Sequence, residues 1–90
     1  MTKLEELRAA IDGIDDQIIR LYVARMELSK EIAIEKNKSK LPVENTQRER
    51  KIVGRITEQV PEDMLIYAEQ LYNTIFETSK AYQSLFCDKL

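Results

Sequence analysis

Apolar residues recur at helical spacing through the first third of the chain. They are separated by steps of three and four residues, interrupted once, and we call them the apolar stripe: Leu4, Leu7, Ile11, Ile14, Ile18, Leu21, Leu28 and Ile32. This spacing is typical of one long amphipathic helix that packs lengthwise against another helix. The stripe predicts a helix over residues 2–38.

A helix of that length is too long for the domain that it belongs to. About 35 residues form a rod of about 50 Å, whereas a compact chain of 90 residues is only about 25 Å across. The apolar stripe therefore extends past its own domain and needs a second chain to cover it. We infer a homodimer.

Two prolines divide the rest of the chain. Pro42 cannot continue a helix, and Thr46–Glu49 then has the form of a capping box, with Asn45 as a rival cap, which predicts a second helix of about four turns. Pro61, followed by two acids, suits a first helical turn, and a third helix should run from there to about Cys87. The expected fold is all-α, with three helices in the order long, short, long.

Composition excludes several classes of function. Ninety residues are enough for one domain, which we expect over residues 1–90. Two glycines and two prolines leave room for about two breaks, which argues against a many-stranded β fold. The absence of histidine removes imidazole bases, and a lone cysteine, Cys87, allows no cysteine-rich cluster, so we expect no metal site. A net charge of −2 argues against nucleic-acid binding. No apolar run suits a membrane span or a signal peptide, and a soluble cytoplasmic protein is expected.

Two cations occupy one side of the first helix where apolar residues are expected. Arg25 fills the gap in the stripe, and a guanidinium there is costly unless it meets an anion. It could instead reach solvent or pair with Glu27 or Glu31. Lys36 lies nearly three turns further on, on almost the same side, although a lysine near a helix end is commonly solvated.

Other polar residues lie beside the apolar face of each of the three helices. Arg8 lies about 25 Å from Arg25 along the first helix, so the two meet at one ligand only if two copies pair across a two-fold axis. As an alternative to ligand binding, Glu49 could act solely in the helix cap. The side chains of Ser79 and Gln83 could likewise find their hydrogen-bond partners within the core. Together these groups suit a small polyanion, most naturally a dicarboxylate: Arg8 of the partner, Arg25, Lys36, Arg48, Glu49, Ser79 and Gln83.

At these residues the chain resembles the chorismate mutases of the all-helical class. The matching segments are residues 4–15 (LEELRAAIDGID), 21–36 and 42–50 (PVENTQRER), followed by Ser79 and Gln83 on the third helix. The resemblance implies conversion of chorismate to prephenate, on the route to phenylalanine and tyrosine, by an intramolecular Claisen rearrangement without a cofactor. It also implies an intertwined helical homodimer with two equivalent sites.

The resemblance assigns the substrate's two carboxylates and its ether oxygen to four residues. Arg25 and the partner's Arg8 would bind the two carboxylates. Lys36 would reach a carboxylate and the ether oxygen of the bond that breaks, and Gln83 would donate to the same ether oxygen. A glutamine does not titrate, so we expect activity to persist through pH 7–8.

The resemblance gives the remaining positions supporting roles. Glu49 would hold the ring hydroxyl, helped by the backbone near Asn45, while Arg48 and Ser79 would complete the polar lining. The family often has an aspartate where this chain has Asn45. That change should be mild if the backbone makes the contact, and should weaken substrate binding if the carboxylate does.

Three other functions fit the same residues. An isochorismate pyruvate lyase has the same fold and also binds a dicarboxylate. A helical dimerisation or adaptor module could use polar residues in its apolar stripe only to set register. A sensor domain could bind the metabolite without converting it. A partner enzyme of aromatic biosynthesis is compatible with the sequence, which identifies none.

Overall fold

A computed structural model of the protein describes residues 2–87 and shows an all-helical chain without strands over that range. Helix α1 spans Lys3–Lys38, α2 spans Thr46–Gln59 and α3 spans Leu65–Ser84. The predicted order of long, short and long helices is confirmed.

Helix α1 is a continuous rod, and each of its ends carries side chains that stabilise a helix terminus. The hydroxyl of Thr2 accepts a hydrogen bond from the backbone N–H of Glu5 at 3.1 Å, which satisfies one of the free donors of the first turn. Lys36 and Lys38 lie in the last turn, where positive charge is favoured by the helix dipole. The molecule is 57 Å long, consistent with the length predicted for this helix.

Helix α2 is capped by Asn45, so the predicted box that begins at Thr46 is wrong. The side-chain oxygen of Asn45 accepts from the backbone N–H of Arg48 at 3.0 Å, and Thr46 is already the first helical residue. Because the cap does not use Glu49, its carboxylate is available elsewhere, and it pairs with Lys80.

Helix α3 begins later and ends earlier than predicted. Pro61 is followed by a 3₁₀ turn over Glu62–Met64, and the α-helix starts at Leu65. It ends at Ser84 instead of Cys87, because the last turn tightens: the backbone N–H of Phe86 donates to the carbonyl of Gln83 at 3.0 Å. Such i to i+3 bonds commonly close a helix end.

Helix α3 packs against both of the others and joins them into a thin layer. It lies along the C-terminal half of α1, as shown by the hydrogen bond from the Tyr22 hydroxyl to Thr78 Oγ1 at 2.7 Å, and along α2. The molecule measures 57 × 26 × 15 Å, with a radius of gyration of 16.6 Å, against roughly 12 Å for a compact chain of this length. Only three apolar side chains are buried among the described residues: Ala33, Ile56 and Phe76.

The N-terminal half of α1 extends beyond α3 and exposes the apolar stripe. Five stripe residues there each expose 50–56% of their surface: Leu4, Leu7, Ile11, Ile14 and Ile18. An apolar strip of this kind commonly marks an interface with another molecule. None of the helices in residues 2–87 has the length and apolar character needed to cross a membrane.

Candidate active site

A cavity of about 430 Å³ lies between the C-terminal half of α1, the segment of residues 39–45, the start of α2 and the end of α3. Seven of the eight predicted site residues line it, from all three helices and the connecting segment. Two further polar residues, which the sequence did not indicate, line it as well. Within the described part of the chain, the polar lining residues are Arg25, Ser29, Lys36, Asn45, Arg48, Glu49, Ser79, Lys80 and Gln83.

Two cations of the cavity, Arg25 and Lys36, have no acidic partner within residues 2–87. Arg25 is half-buried, and it has no acidic partner within residues 2–87, so the alternative of pairing with Glu27 or Glu31 is not observed. Lys36 is also half-buried and donates to the backbone carbonyl of Val43 at 2.8 Å. Uncompensated charge in a partly enclosed site favours an anionic ligand, because the ligand supplies the missing counter-charge.

Among residues 2–87, Glu49 is the one acid that lines the cavity, and it pairs with Lys80. The ammonium nitrogen of Lys80 lies 3.3 Å from Glu49 Oε2 and 3.5 Å from Glu44 Oε1. The pKa of Lys80 is raised above its ordinary value of 10.5, chiefly by the hydrogen bond to Glu49. Burial opposes this increase, and the negative charges of Glu49 and Glu44 add to it. The sequence feature that could have indicated Lys80 is its position four residues after the apolar Phe76, on the same face of α3.

Three buried neutral side chains form a hydrogen-bonded group across α1 and α3. The hydroxyl oxygens of Ser29 and Ser79 are 2.9 Å apart, and Gln83 Nε2 donates to Ser79 Oγ at 2.9 Å. Gln83 Oε1 is buried, and no group in the described part of the chain hydrogen-bonds to it. The signal for Ser29 was its place one turn after Arg25, but its meaning depends on how closely α3 approaches α1.

Arg8 lies outside this cavity. It is exposed on the part of α1 that extends beyond α3, and 17 residues of helix separate it from Arg25, or about 25 Å. A single chain does not bring Arg8 to the other predicted site residues. Its participation stays a prediction that depends on a second copy of the chain.

The chemistry available in the cavity is electrostatic. Ammonium and guanidinium groups can bind an anion in a fixed conformation, and the buried amide can donate to an oxygen on which negative charge develops. Such an arrangement accelerates reactions that need orientation and charge stabilisation. The acid held by Lys80 can accept a hydrogen bond from a ligand hydroxyl.

The chain is similar to known chorismate mutases. The family model for type II chorismate mutases matches residues 7–84. The chorismate mutase of Methanocaldococcus jannaschii is 32% identical over 92 residues, covering 97% of this chain and 90% of that protein. The bifunctional chorismate mutase/prephenate dehydratase of Aquifex aeolicus is 45% identical over 56 residues, covering 62% of this chain, but the match spans only 16% of that longer protein. No solved structure matches the chain significantly.

Proposed function

The chain belongs to the type II chorismate mutase family, a family of isomerases, and from this premise we propose that it converts chorismate to prephenate. The observation that supports the proposal most strongly is the cavity itself. Within residues 2–87, its lining combines two cations without acidic partners, Arg25 and Lys36, with a buried amide and a single acid that Lys80 pairs. Chorismate carries two carboxylates, an ether oxygen and a ring hydroxyl, and each has a chemically suitable group in this lining.

The cations would bind the carboxylates. Arg25 would bind one carboxylate through its guanidinium, which suits the planar geometry of that group. The partner's Arg8 would bind the other. Lys36 would contact a carboxylate with one N–H while another reaches the ether oxygen, since its ammonium has three donors and Val43 takes one of them.

The rearrangement itself would need no nucleophile or base. Holding the substrate in its compact conformer brings the two carbon atoms that will be bonded close together. As the ether bond breaks, negative charge grows on its oxygen, and donors from Lys36 and Gln83 would stabilise that charge. Donors fixed in advance stabilise the transition state more than the ground state.

The other lining residues would hold the ring. Glu49 would accept from the ring hydroxyl through the carboxylate that Lys80 orients, and Arg48 and Ser79 would complete the polar wall. Asn45 uses its side-chain oxygen to cap α2, a task that aspartate performs equally well. Its backbone would therefore make the substrate contact, and the replacement of the family's usual aspartate should be mild.

We also propose that residues 1–90 form one domain that acts as an intertwined homodimer. The exposed half of the apolar stripe supports this, because pairing two copies would cover it. An antiparallel pairing of two α1 helices would place the N-terminal part of one beside the middle of the other. The partner's Arg8 would then complete each of two equivalent sites.

The decisive experiment supplies the purified protein with chorismate and follows substrate absorbance and the appearance of prephenate. We expect turnover that is lost in Arg25→Met and kept in Arg50→Met, because Arg50 is an exposed arginine outside the cavity. Release of pyruvate and salicylate from isochorismate would instead identify a lyase. Thermal stabilisation by a bicyclic diacid without turnover would indicate a sensor. Neither turnover of chorismate or isochorismate nor stabilisation by the diacid would indicate a dimerisation module.

A further inference from the structure

We propose that Ser29 is a positioning residue of this site, which acts through Ser79 on the side-chain amide of Gln83. The role in catalysis rests on the proposed function, whereas the effect on the amide does not. Ser29 belongs to α1, while Ser79 and Gln83 belong to α3. The inference is therefore that a contact between two helices fixes the direction in which the amide donates.

The three side chains form one continuous hydrogen-bonded chain that is shielded from water. Ser29, Ser79 and Gln83 expose only 5%, 6% and 8% of their surface. Gln83 Nε2 donates to Ser79 Oγ, and Ser79 Oγ lies 2.9 Å from Ser29 Oγ. Since Ser79 accepts from the amide, its own hydrogen can be donated to Ser29, and bonds aligned in this way strengthen one another at low local polarity.

The amide of Gln83 depends on this chain for its orientation. Its nitrogen carries two hydrogens, of which one is held by Ser79 and the other can serve a ligand. Its oxygen is buried and accepts no hydrogen bond from residues 2–87, so no hydrogen bond from that range would be broken at the oxygen by a rotation that exchanges nitrogen and oxygen. The rotated amide would present an oxygen to the substrate's ether oxygen and would repel the charge that develops there.

Ser29 in turn sets the hydroxyl of Ser79. Without Ser29 the hydroxyl hydrogen of Ser79 loses its acceptor on α1, and it can turn to donate to Gln83 instead. That reversal favours the rotated amide, because a hydroxyl that donates needs the amide oxygen as its acceptor. Ser29 thus selects the amide orientation that suits catalysis, although it need not touch the substrate.

The test begins with Ser29→Ala, which removes one oxygen atom from the middle of a helix. Alanine is a better helix former than serine, so we expect the melting temperature to stay within a few degrees of wild type. We expect kcat for chorismate to fall about tenfold with little change in KM, as for coupled residues in contact. Ser84→Ala is the matched control, because Ser84 is an exposed serine of α3 whose hydroxyl donates to the carbonyl of Lys80. This variant should leave both constants unchanged.

A double-mutant comparison distinguishes positioning from a general structural effect. In a Gln83→Ala background, Ser29→Ala should change kcat less than twofold, because the amide on which it acts is gone. An equal loss in both backgrounds, or wild-type kcat in Ser29→Ala, would overturn the proposal.

A spectroscopic measurement tests the amide without reference to activity. The side-chain ¹⁵N–H₂ signals of Gln83, assigned by their disappearance in Gln83→Ala, should shift in Ser29→Ala and not in Ser84→Ala. If these signals shift while the wild-type protein does not convert chorismate, the amide coupling holds and the proposed reaction is wrong. If the signals do not move, the coupling is wrong whatever the activity.

Discussion

The ammonium of Lys36 makes one hydrogen bond within residues 2–87, to the carbonyl of Val43, and both residues line the cavity. Two donors remain for a ligand. The same contact ties the end of α1 to the segment that leads into α2. At the scale of the residue, a lysine near a helix end is commonly solvated, but the ammonium of Lys36 is held by a protein contact without any ligand.

We predict that Lys36→Ala lowers kcat/KM by two orders of magnitude or more while the fold is kept. The loss of one donor to a developing oxyanion costs about 3–4 kcal/mol. Steady-state kinetics and circular dichroism would measure the two effects. Lys38→Ala is the control, since Lys38 pairs with Glu35 on the exposed surface. A Lys36→Ala variant that turned over like wild type would remove this residue from the mechanism.

A second residue-scale prediction concerns pH. Because the amide of Gln83 does not titrate, the wild-type rate should persist through pH 7–8. Gln83→Glu should retain activity only in acid, because a carboxyl group donates a hydrogen bond only when it is protonated. The rates of both proteins between pH 5 and 8 would show the contrast. A wild-type rate that collapsed between pH 5 and 7 would contradict the role of Gln83.

At the scale of the element, Lys80 joins three parts of the fold. It extends from α3 to Glu49 in the first turn of α2 and to Glu44 in the preceding segment. Together with the contact between Lys36 and Val43 on the other side, it fixes the segment of residues 39–45 against both long helices. The start of α2, and with it the carboxylate of Glu49, is therefore held from two directions.

We predict that Lys80→Met lowers the melting temperature by a similar amount throughout pH 6–9. The raised pKa of Lys80 in the folded protein means that its stabilising effect is complete below its ordinary value of 10.5. The effect is lost as the pH rises through the higher folded-state pKa, so the difference from wild type should shrink above pH 10.5. Lys51→Met, at an exposed position on α2, should show no such trend. A difference that increased with pH would refute the ion pair as its cause.

Helical periodicity explains why much of the site could be predicted from sequence. Arg25, Lys36, Ser79 and Gln83 all interrupt apolar faces, and the faces of a helix are fixed by its repeat of 3.6 residues. Distances between helices are not fixed in this way. The role proposed for Ser29 depends on the close approach of α3 to α1, which places the hydroxyl oxygens of Ser29 and Ser79 2.9 Å apart.

Two further features could not be decided from the local sequence: which residue caps α2, and what Lys80 contacts. Asparagine and threonine are both good helix caps, so the sequence could not decide between Asn45 and Thr46. That choice determined whether Glu49 was used by the cap or was available to the cavity. Lys80 resembled an ordinary surface lysine, because its two acidic partners lie more than 30 residues away in the sequence.

At the scale of the whole molecule, the exposed stripe and the distant Arg8 point to the same arrangement. The unpaired half of α1 carries both features. A second α1 alongside would bury the stripe, and would bring Arg8 toward the cavity of the other chain. Each site of the proposed homodimer would then be built from two chains.

Shared sites predict complementation between inactive variants. Arg8→Ala and Lys36→Ala would each inactivate both sites of their own homodimer, but a heterodimer of the two would contain one site with neither change. Complete exchange of an equal mixture should restore about a quarter of wild-type activity per chain, because half of the dimers would be mixed and half of their sites intact. No recovery, despite exchange demonstrated by native mass spectrometry, would rule out a site built from two chains.

The thinness of the layer has a consequence for how the protein behaves as it is diluted. Because a single chain buries so few apolar side chains, a lone protomer has few packing contacts that would stabilise the part of α1 that extends beyond α3. Folding and pairing should then be a single equilibrium governed by mass action, so that the melting temperature falls steadily over a dilution series. The abundance of the protein would itself set how much of it exists in a working form.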